Sequence, residues 1–246
     1  VVYTVTPTSG AAGNCVGASF TVTVTVYPTP ALSSTLTPAD ICSGTIFSYS
    51  ATSNTQLNPT FSWSRAAVAG ISQASATGSS ASISETLTNT TNVPVSVTYV
   101  YTITANGCTA TNNVVVVVNP TPVIAAKAVS ICNIGTFTVT PTNGTDIVPS
   151  NTTYTWSAPA AITGISGLAS GTSASSISGT LTNSTNAPID VVYTVTPTSG
   201  DNGNCVGASF TVTVTVNPTP ALSSTLTPAA ICSAAIFTYT ATSATL

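Results

Sequence analysis

Residues 1–56 read VVYTVTPTSGAAGNCVGASFTVTVTVYPTPALSSTLTPADICSGTIFSYSATSNTQ, and residues 191–246 repeat this stretch with 10 differences in 56 positions. The two copies are offset by 190 residues. A Pro-Thr-Pro sequence begins at Pro28, Pro120 and Pro218, so steps of 92 and 98 residues lie inside the longer repeat. Self-similarity of this kind is the mark of a repeat protein. The sequence therefore predicts a tandem array of modules.

The repeat divides the chain into two complete modules with part of a module at each end. Residues 1–30, the leading segment, are predicted to be the last two strands of a preceding module. Residues 31–119 form module 1, and residues 120–217 form module 2. Residues 218–246, the trailing segment, are predicted to be the first two strands of a following module. We therefore expect the chain to be a window of a longer polymer.

Alternation of apolar and polar residues with a period of two is typical of half-buried strands. No segment shows the sustained 3.6-residue period of an amphipathic helix. About seven short strands in roughly 100 residues predict an all-β fold of tandem immunoglobulin-like β-sandwich modules. The strands predicted for module 1 are Ala31–Thr37, Thr45–Thr52, Thr60–Ser64, Val68–Ser72, Ala81–Thr88, Val95–Thr104 and Val114–Val118.

Aromatic residues recur at matching positions in the modules. Trp63 and Trp156 lie on the third predicted strand, where such sandwiches bury a tryptophan. Tyr3, Tyr99 and Tyr193 lie early on the sixth strand, in the place of a tyrosine corner. The other interpretation is that these are ordinary core aromatics. In both cases all five are predicted to be structural.

Pairs of prolines separate the modules. Proline has no N–H to donate to a sheet, so each pair is predicted to end strand pairing and to form a short extended linker. The linker prolines are Pro28, Pro30, Pro120, Pro122, Pro218 and Pro220.

The composition argues against several classes of function. The chain has two cations, five acids, no histidine and a net charge of −3. Two separated cations, Arg65 and Lys127, form no basic patch, so nucleic-acid binding is not expected. Without histidine, a Ser-His-Asp or Cys-His site is impossible, and no CxxC spacing suggests a metal site. We expect no enzyme activity, no cofactor and, because no apolar run reaches 18 residues, no membrane span in this window.

Module 1 contains a series of short motifs: ICSG at 41–44, FSW at 61–63, GIS at 70–72, TLTNTTN at 86–92, VTY at 97–99, NGC at 106–108 and VNPTP at 118–122. Together they resemble the PKD-like (polycystic-kidney-disease-type) repeats of giant Bacteroidota surface proteins, the SprB-like adhesins of the type IX secretion pathway. The resemblance covers essentially the whole chain and implies an immunoglobulin-like array that is secreted to the cell surface. It specifies architecture rather than ligand, and it transfers no functional residue.

Six cysteines occur at two recurring positions, and even usage in a secreted array favours disulfides. One position precedes the second strand, and the other lies in the hairpin between the last two strands. These positions are at opposite ends of a sandwich, about 30 Å apart for a strand of about nine residues. The cysteines are Cys42, Cys132 and Cys232 at the first position, and Cys15, Cys108 and Cys205 at the second.

A disulfide requires Cα atoms within about 7 Å. Pairing within a module (Cys42–Cys108 and Cys132–Cys205) is therefore difficult, although two cysteines per domain suggest it, and Cys15–Cys42 is more difficult still. The lower end of one module meets the hairpin of the next, which favours Cys42–Cys205. The other four cysteines would then pair with modules outside this window. Pairing within modules and free thiols stay open as alternatives.

Three surface features are candidates for contacts. Outward threonines, Thr21, Thr23 and Thr25 in one copy and Thr211, Thr213 and Thr215 in the other, form either a ligand-binding row or simply the polar face of a strand. Val100, Val115 and Val117 occupy places where module 2 has threonine, which suggests an apolar contact patch on module 1. Four asparagines lie in N-x-Ser/Thr sequons: Asn89, Asn143, Asn151 and Asn183.

These features predict the stalk or filament of a bacterial cell-surface adhesin, secreted and stiffened by disulfides. The expected partners are neighbouring modules, with lateral self-association as a further contact. Two alternatives remain. One is a module that binds glycan or another surface ligand through its threonine rows, and the other is a self-assembling extracellular sheath.

Overall fold

The computed structural model describes residues 1–10, 12–55, 58–200 and 203–245, and these residues contain strands and no helix. The leading segment is an antiparallel pair, β1 (Val2–Val5) and β2 (Phe20–Thr23), in which Val2 lies opposite Thr23. No helix long and apolar enough to cross a membrane occurs in the described part of the chain.

Module 1 is a sandwich of two sheets. The larger sheet has the order β3-β9-β8-β5-β6, and the smaller pairs β4 with β7. All pairings are antiparallel except that of the first strand, β3, with the last, β9, which is parallel. The strands are β3 (Ile41–Cys42), β4 (Thr45–Ser50), β5 (Thr60–Arg65), β6 (Ala76–Gly78), β7 (Ser82–Leu87), β8 (Val95–Ala105) and β9 (Cys108–Asn119).

Module 2 repeats this arrangement. Its sheets have the orders β10-β17-β16-β12-β14 and β11-β15-β13, and the first strand again pairs in parallel with the last. Each module thus has two facing sheets, and its first strand pairs in parallel with its last. This arrangement is an immunoglobulin-like sandwich. The strands are β10 (Lys127–Cys132), β11 (Gly135–Val139), β12 (Thr153–Trp156), β13 (Ile165–Ser166), β14 (Gly171–Ala174), β15 (Ile177–Asn183), β16 (Ile189–Thr198) and β17 (Phe210–Asn217).

The core of each module consists of the alternate residues that face between the sheets. Val97, Tyr99 and Tyr101 of β8 are fully buried and pack with the valines of β9. Val191 and Tyr193 fill the same places in module 2. Each such side chain contributes about 1.5–3 kcal/mol when it leaves water. The period-two pattern therefore predicted the all-β, immunoglobulin-like class correctly.

The first predicted strand of module 1 is only partly right. Leu32 forms an isolated bridge with Ser53, which follows β4, and regular pairing begins at β3, beside β9 of the larger sheet. The segment reaches the larger sheet before Pro38, since the carbonyl of Leu36 already accepts from the amide of Val115 on β9 at 2.8 Å. Strands β6 and β14 were not predicted, because three or four small polar residues give little periodic signal.

The trailing segment contains no strand among residues 218–245, so its predicted pair of strands is wrong for this structure. The matching residues of module 1 form β3 and β4 by pairing with β9 and β7. Residues 218–245 have no such neighbours here, and only Leu222 and Ser243 form a bridge. A closely similar sequence therefore forms strands where partner strands complete its hydrogen bonds and forms none here.

The recurring aromatics have different surroundings. Trp156 is in the core of module 2, where its Nε1 donates to the carbonyl of Ala169 at 3.1 Å, while Trp63 is half-buried. The tyrosine-corner prediction is wrong for Tyr99, whose hydroxyl donates to the Glu85 carboxylate rather than to backbone. The core prediction is wrong for Tyr3, which is 56% exposed because no second sheet covers the leading segment.

Candidate functional site at the joint between the modules

A disulfide joins the two modules. Cys42, at the end of β3, is bonded to Cys205 in the loop between β16 and β17. Their Cα atoms lie 5.6 Å apart, although 163 residues separate them in sequence. Cys205 is 1% exposed, so the bridge lies inside the joint. The structure thus contains the inter-module pairing favoured by strand geometry.

The alternative pairings within modules are wrong for this structure. Both Cys42–Cys108 and Cys132–Cys205 are excluded by the Cys42–Cys205 bond. The remaining four cysteines are free thiols, exposed at Cys15, Cys132 and Cys232 and partly exposed at Cys108.

The linker at this joint is packed into the structure. Pro120 and Pro122 are both buried. The Thr121 hydroxyl donates to the carbonyl of Ser43 at 3.3 Å, and the Ser43 amide donates to the carbonyl of Asn119 at 2.8 Å. The linker is therefore fixed to the end of module 1, unlike a free spacer.

Two glycines of module 2 allow its β16–β17 loop to approach module 1 and the linker. Gly203 has φ of +96°, and a Cβ there would lie 3.1 Å from Asn119 Nδ2. A Cβ on Gly207 would lie 2.3 Å from the carbonyl oxygen of Pro122, inside van der Waals contact. Asn119 is 1% exposed, and its side-chain amide has no hydrogen-bond partner among the described residues. The close fit of the loop thus excludes water from that amide.

A buried asparagine holds the end of module 1 in place. The Asn89 amide nitrogen donates to the carbonyls of Val93 (2.7 Å) and Val118 (2.9 Å), and its oxygen accepts from the amide and hydroxyl of Thr91 (both 2.8 Å). The Asn89 backbone amide also donates to the hydroxyl of Ser43 at 2.9 Å. Because Ser43 in turn binds Thr121, one network connects the core of module 1 to the linker.

Module 2 repeats this network at its own lower end. Asn183 donates to Ala187 and Val216 and accepts from Thr185, with the same geometry. Asn133, in the place of Ser43, accepts from the Asn183 amide at 2.8 Å and donates to the Thr219 hydroxyl at 3.0 Å. A similar network therefore reaches the linkers that begin at Pro120 and Pro218.

These contacts change the interpretation of two sequons. Asn89 and Asn183 are 3% and 2% exposed, and both hydrogens of each amide are bonded. A glycan on either nitrogen would break the network. Asn143 and Asn151 are exposed.

Comparison with known proteins identifies the modules. The PKD-like domain family matches residues 1–30, 39–122 and 129–220, which is most of the chain. The chain belongs to the PKD-like domain family. No curated protein sequence matches it significantly.

Solved structures similar to this PKD-like chain include fragments of titin, Sidekick-1 and N-cadherin. The titin I-band fragment I67–I69 is 11% identical, with 79% of this chain and 68% of that chain covered and a TM-score of 0.39. The immunoglobulin domains 1–4 of Sidekick-1 are 10% identical, covering 80% and 52%, with a TM-score of 0.33. Drosophila N-cadherin EC1–4 is 9% identical, covering 77% and 50%, with a TM-score of 0.31.

The first PKD-like module also contains a buried ion pair. Arg65, 1% exposed, donates from Nε to Glu85 Oε2 at 3.0 Å and from a terminal nitrogen to Oε1 at 2.5 Å. The Tyr99 hydroxyl donates to Oε2 at 2.5 Å. Burial alone would raise the pKa of Glu85, but the hydrogen bonds from Arg65 and Tyr99 lower it below 4.5. Burial and the bond to Glu85 raise the pKa of Tyr99.

Acid is expected to destabilise module 1 through Glu85. The pKa of Glu85 in the folded state is lower than the ordinary value of 4.5. The contribution of the ionised Glu85 to the free energy of unfolding is therefore complete above pH 4.5, and it is lost as the pH falls through the folded-state pKa. Hydrogen exchange of β8 and β9 amides, measured from pH 6 downward and corrected for intrinsic exchange, should show this loss. A variant with both Arg65→Met and Glu85→Leu should show a flatter profile, and an equally steep one would contradict the assignment.

Gly207→Ala is expected to weaken the joint while both modules stay folded, because the new methyl group would overlap the Pro122 carbonyl. The fraction of chains with the Cys42–Cys205 bond after air oxidation should fall several-fold. Gly17→Ala is the matched control, since Gly17 lies in the same sequence context and its Cβ would meet only Pro7, at 3.1 Å. Equal disulfide yields in the two variants would contradict this account of the joint.

The remaining candidate features lie on the outer faces. Thr211 is exposed and Thr213 and Thr215 are partly buried on β17, with the Thr215 hydroxyl donating to Asp190 at 2.6 Å. Val100 is 38% exposed, and Val115 and Val117 are partly buried on the same face of the β8–β9 pair. No group of three or more potential metal ligands occurs in the described ranges.

Sequence reasoning missed the residues that fix the joint. Ser43 was recognised only as part of a motif and Asn89 only as part of a motif and of a sequon, and Gly203 and Gly207 were not singled out. Their shared signal was recurrence along the chain: TLTN occurs at 86–89 and 180–183, and GNCVG occurs at 13–17 and 203–207. Recurrence beside a linker is the feature that identifies them.

Proposed function

We propose that this chain is a segment of the stalk of a bacterial cell-surface adhesin, in which PKD-like modules project and space a binding region located elsewhere. The observation that supports this function best is the Cys42–Cys205 bond across a joint whose linker is buried. A covalent bridge and a packed linker restrict bending between neighbours. Restricted bending is the property that a projecting stalk needs.

The proposal extends the same bridge along the array. Cys132 and Cys232 occupy the place of Cys42, and Cys15 and Cys108 occupy the place of Cys205. The four thiols would pair with modules before and after those described here. Disulfides persist in oxidising surroundings, which supports secretion to the cell surface. The partners in this function are neighbouring modules of the same chain.

The second candidate is lateral assembly into a filament or sheath. It is favoured by Val100, Val115 and Val117, which share an outer face that is threonine at the corresponding positions of module 2. Replacing all three valines by threonine should reduce lateral association in sedimentation experiments and leave thermal stability nearly unchanged. A large loss of stability would instead show that they belong to the core.

Small-angle scattering combined with glycan-array binding tests the stalk proposal. The oxidised chain should scatter as a rod, and the variant with Cys42→Ser and Cys205→Ser should show a broader distribution of distances. The Cys108→Ser variant is the matched control and should behave like the parent. Identical scattering of all three proteins, together with specific glycan binding through the threonine rows, would contradict the stalk proposal and favour a module that binds its ligand directly.

A further inference from the structure

We propose that tension along the array passes through the last strand of one module, the linker and the first strand of the next, and crosses between modules at the disulfides. The hydrophobic cores then lie outside the load path. This inference rests on the proposed stalk function, because only a projecting structure is pulled along its axis. It defines what the inter-module bond does mechanically.

The position of Cys42 supports the first half of this path. Cys42 lies opposite Asn119, the last residue of β9, in the parallel pairing of β3 with β9. It is therefore at the end of module 1 that faces module 2. Residue 31 lies beyond the preceding linker, so tension that enters there runs lengthwise along residues 31–42 to the bridge.

The position of Cys205 supports the second half. Cys205 precedes β17 and lies at the joint with module 1. The last residue of β17, Asn217, lies opposite Cys132 in the parallel pairing of β10 with β17. Because Cys132 occupies the place of Cys42, Asn217 is at the far end of module 2. The strand β17 thus extends from one end of the module to the other and is pulled along its own backbone.

The spacing of the cysteines makes this path short. Cys15 and Cys42 are 27 residues apart, as are Cys205 and Cys232. In the proposed array each such segment advances the load by two modules, and 27 residues reach about 90–100 Å when fully extended. Only Phe210–Asn217 of residues 205–232 form a strand, and strand residues already rise about 3.3 Å each, close to the fully extended limit. The oxidised array can therefore lengthen mainly by straightening its loops and linkers.

Reduction of the bridge changes what bears the load. Tension would then enter each module at its first strand and leave at its last, shearing their parallel pairing. That pairing joins six residue pairs between β10 and β17 but only two between β3 and β9. In the reduced chain, module 1 is therefore expected to unfold at a lower force than module 2.

Single-molecule stretching of this chain by its two ends tests the path. The oxidised chain should extend only by residues 1–42 and 205–246, to about 300 Å in total. Adding a phosphine reductant should release the residues between the two cysteines, about 550 Å more. Cys108→Ser should behave like the parent, whereas Cys42→Ser should show the long extension without reductant. A long extension of the oxidised parent would overturn the proposal.

A core substitution tests whether the cores carry load. Ile83 is 2% exposed in the core of module 1, and Ile83→Val weakens that core with little risk to folding. It should lower the unfolding force of the reduced chain and leave the oxidised force trace unchanged. A lower force in the oxidised chain would show that the core lies in the load path. The stalk proposal would survive that result, since it depends on bending and ligand binding instead.

Discussion

Asn89→Ala is expected to lower the free energy of unfolding of module 1 by about 3–5 kcal/mol. The substitution removes four hydrogen bonds, each of which contributes about 1 kcal/mol. Part of this total is the cost of leaving the buried carbonyl oxygen of Val118 without its donor, about 1–3 kcal/mol for an unsatisfied group. Hydrogen exchange of β8 and β9 amides reports the change for module 1 alone.

Asn143→Ala is the control for this prediction. The Asn143 side chain makes two hydrogen bonds, both with Val148, but it is exposed, so water can replace them. Its loss should cost less than about 1 kcal/mol. If Asn89→Ala proved no more destabilising than Asn143→Ala, Asn89 would not hold the end of the module. Asn183→Ala should reproduce the large effect in module 2.

Arg65→Met is expected to destabilise module 1 by about 3–5 kcal/mol, because it leaves the Glu85 carboxylate without the guanidinium that neutralises it. The Glu85 side chain is 19% exposed, so some solvation remains and the lower end of this range is expected. Adding Glu85→Leu should recover much of the loss, since replacing a whole buried pair by apolar residues is often nearly neutral. Denaturant unfolding of the two variants measures the difference.

Module 2 lacks both members of this ion pair, as the near-neutral replacement of a whole pair by uncharged residues would allow. Alignment of Trp63 with Trp156 places Ala158 at Arg65, and alignment of TLTN at 86–89 with TLTN at 180–183 places Gly179 at Glu85, so both charges are missing together. A double-mutant cycle on module 1 should therefore give a coupling energy of about 2 kcal/mol or more. Additive effects of the two substitutions would mean that the ion pair contributes no energy beyond its separate side chains.

The sequence predicted the strands best where one face is buried. Along β8 and β16 the apolar alternation covers ten or more residues, and the structure follows it closely. Prediction failed at β6 and β14, which are short edge strands with little apolar surface. It also failed in the trailing segment, because strand propensity alone does not satisfy backbone hydrogen bonds. Whether such a segment forms a strand depends on the presence of a neighbouring strand with which it can pair.

The joint was predictable in its connectivity but not in its contacts. Strand length separates Cys42 from Cys108, and that distance alone favoured Cys205. The close approach of Gly207 to Pro122 and the burial of Asn119 depend on the rotation of one module against the next. No pattern within a module encodes that rotation. The same limit applies to Asn89, whose sequon describes only three residues and gives no information on burial.

Non-reducing peptide mapping of the native chain is the most direct test of the inter-module bridge. After free thiols are alkylated and the chain is unfolded, trypsin cleaves at its only two cations, Arg65 and Lys127. The fragments are residues 1–65 with Cys15 and Cys42, residues 66–127 with Cys108, and residues 128–246 with Cys132, Cys205 and Cys232. The account predicts that 1–65 is linked to 128–246, that Cys42→Ser abolishes this product, and that 66–127 is released free. A product linking 1–65 to 66–127 would contradict it and would show modules closed by their own disulfides.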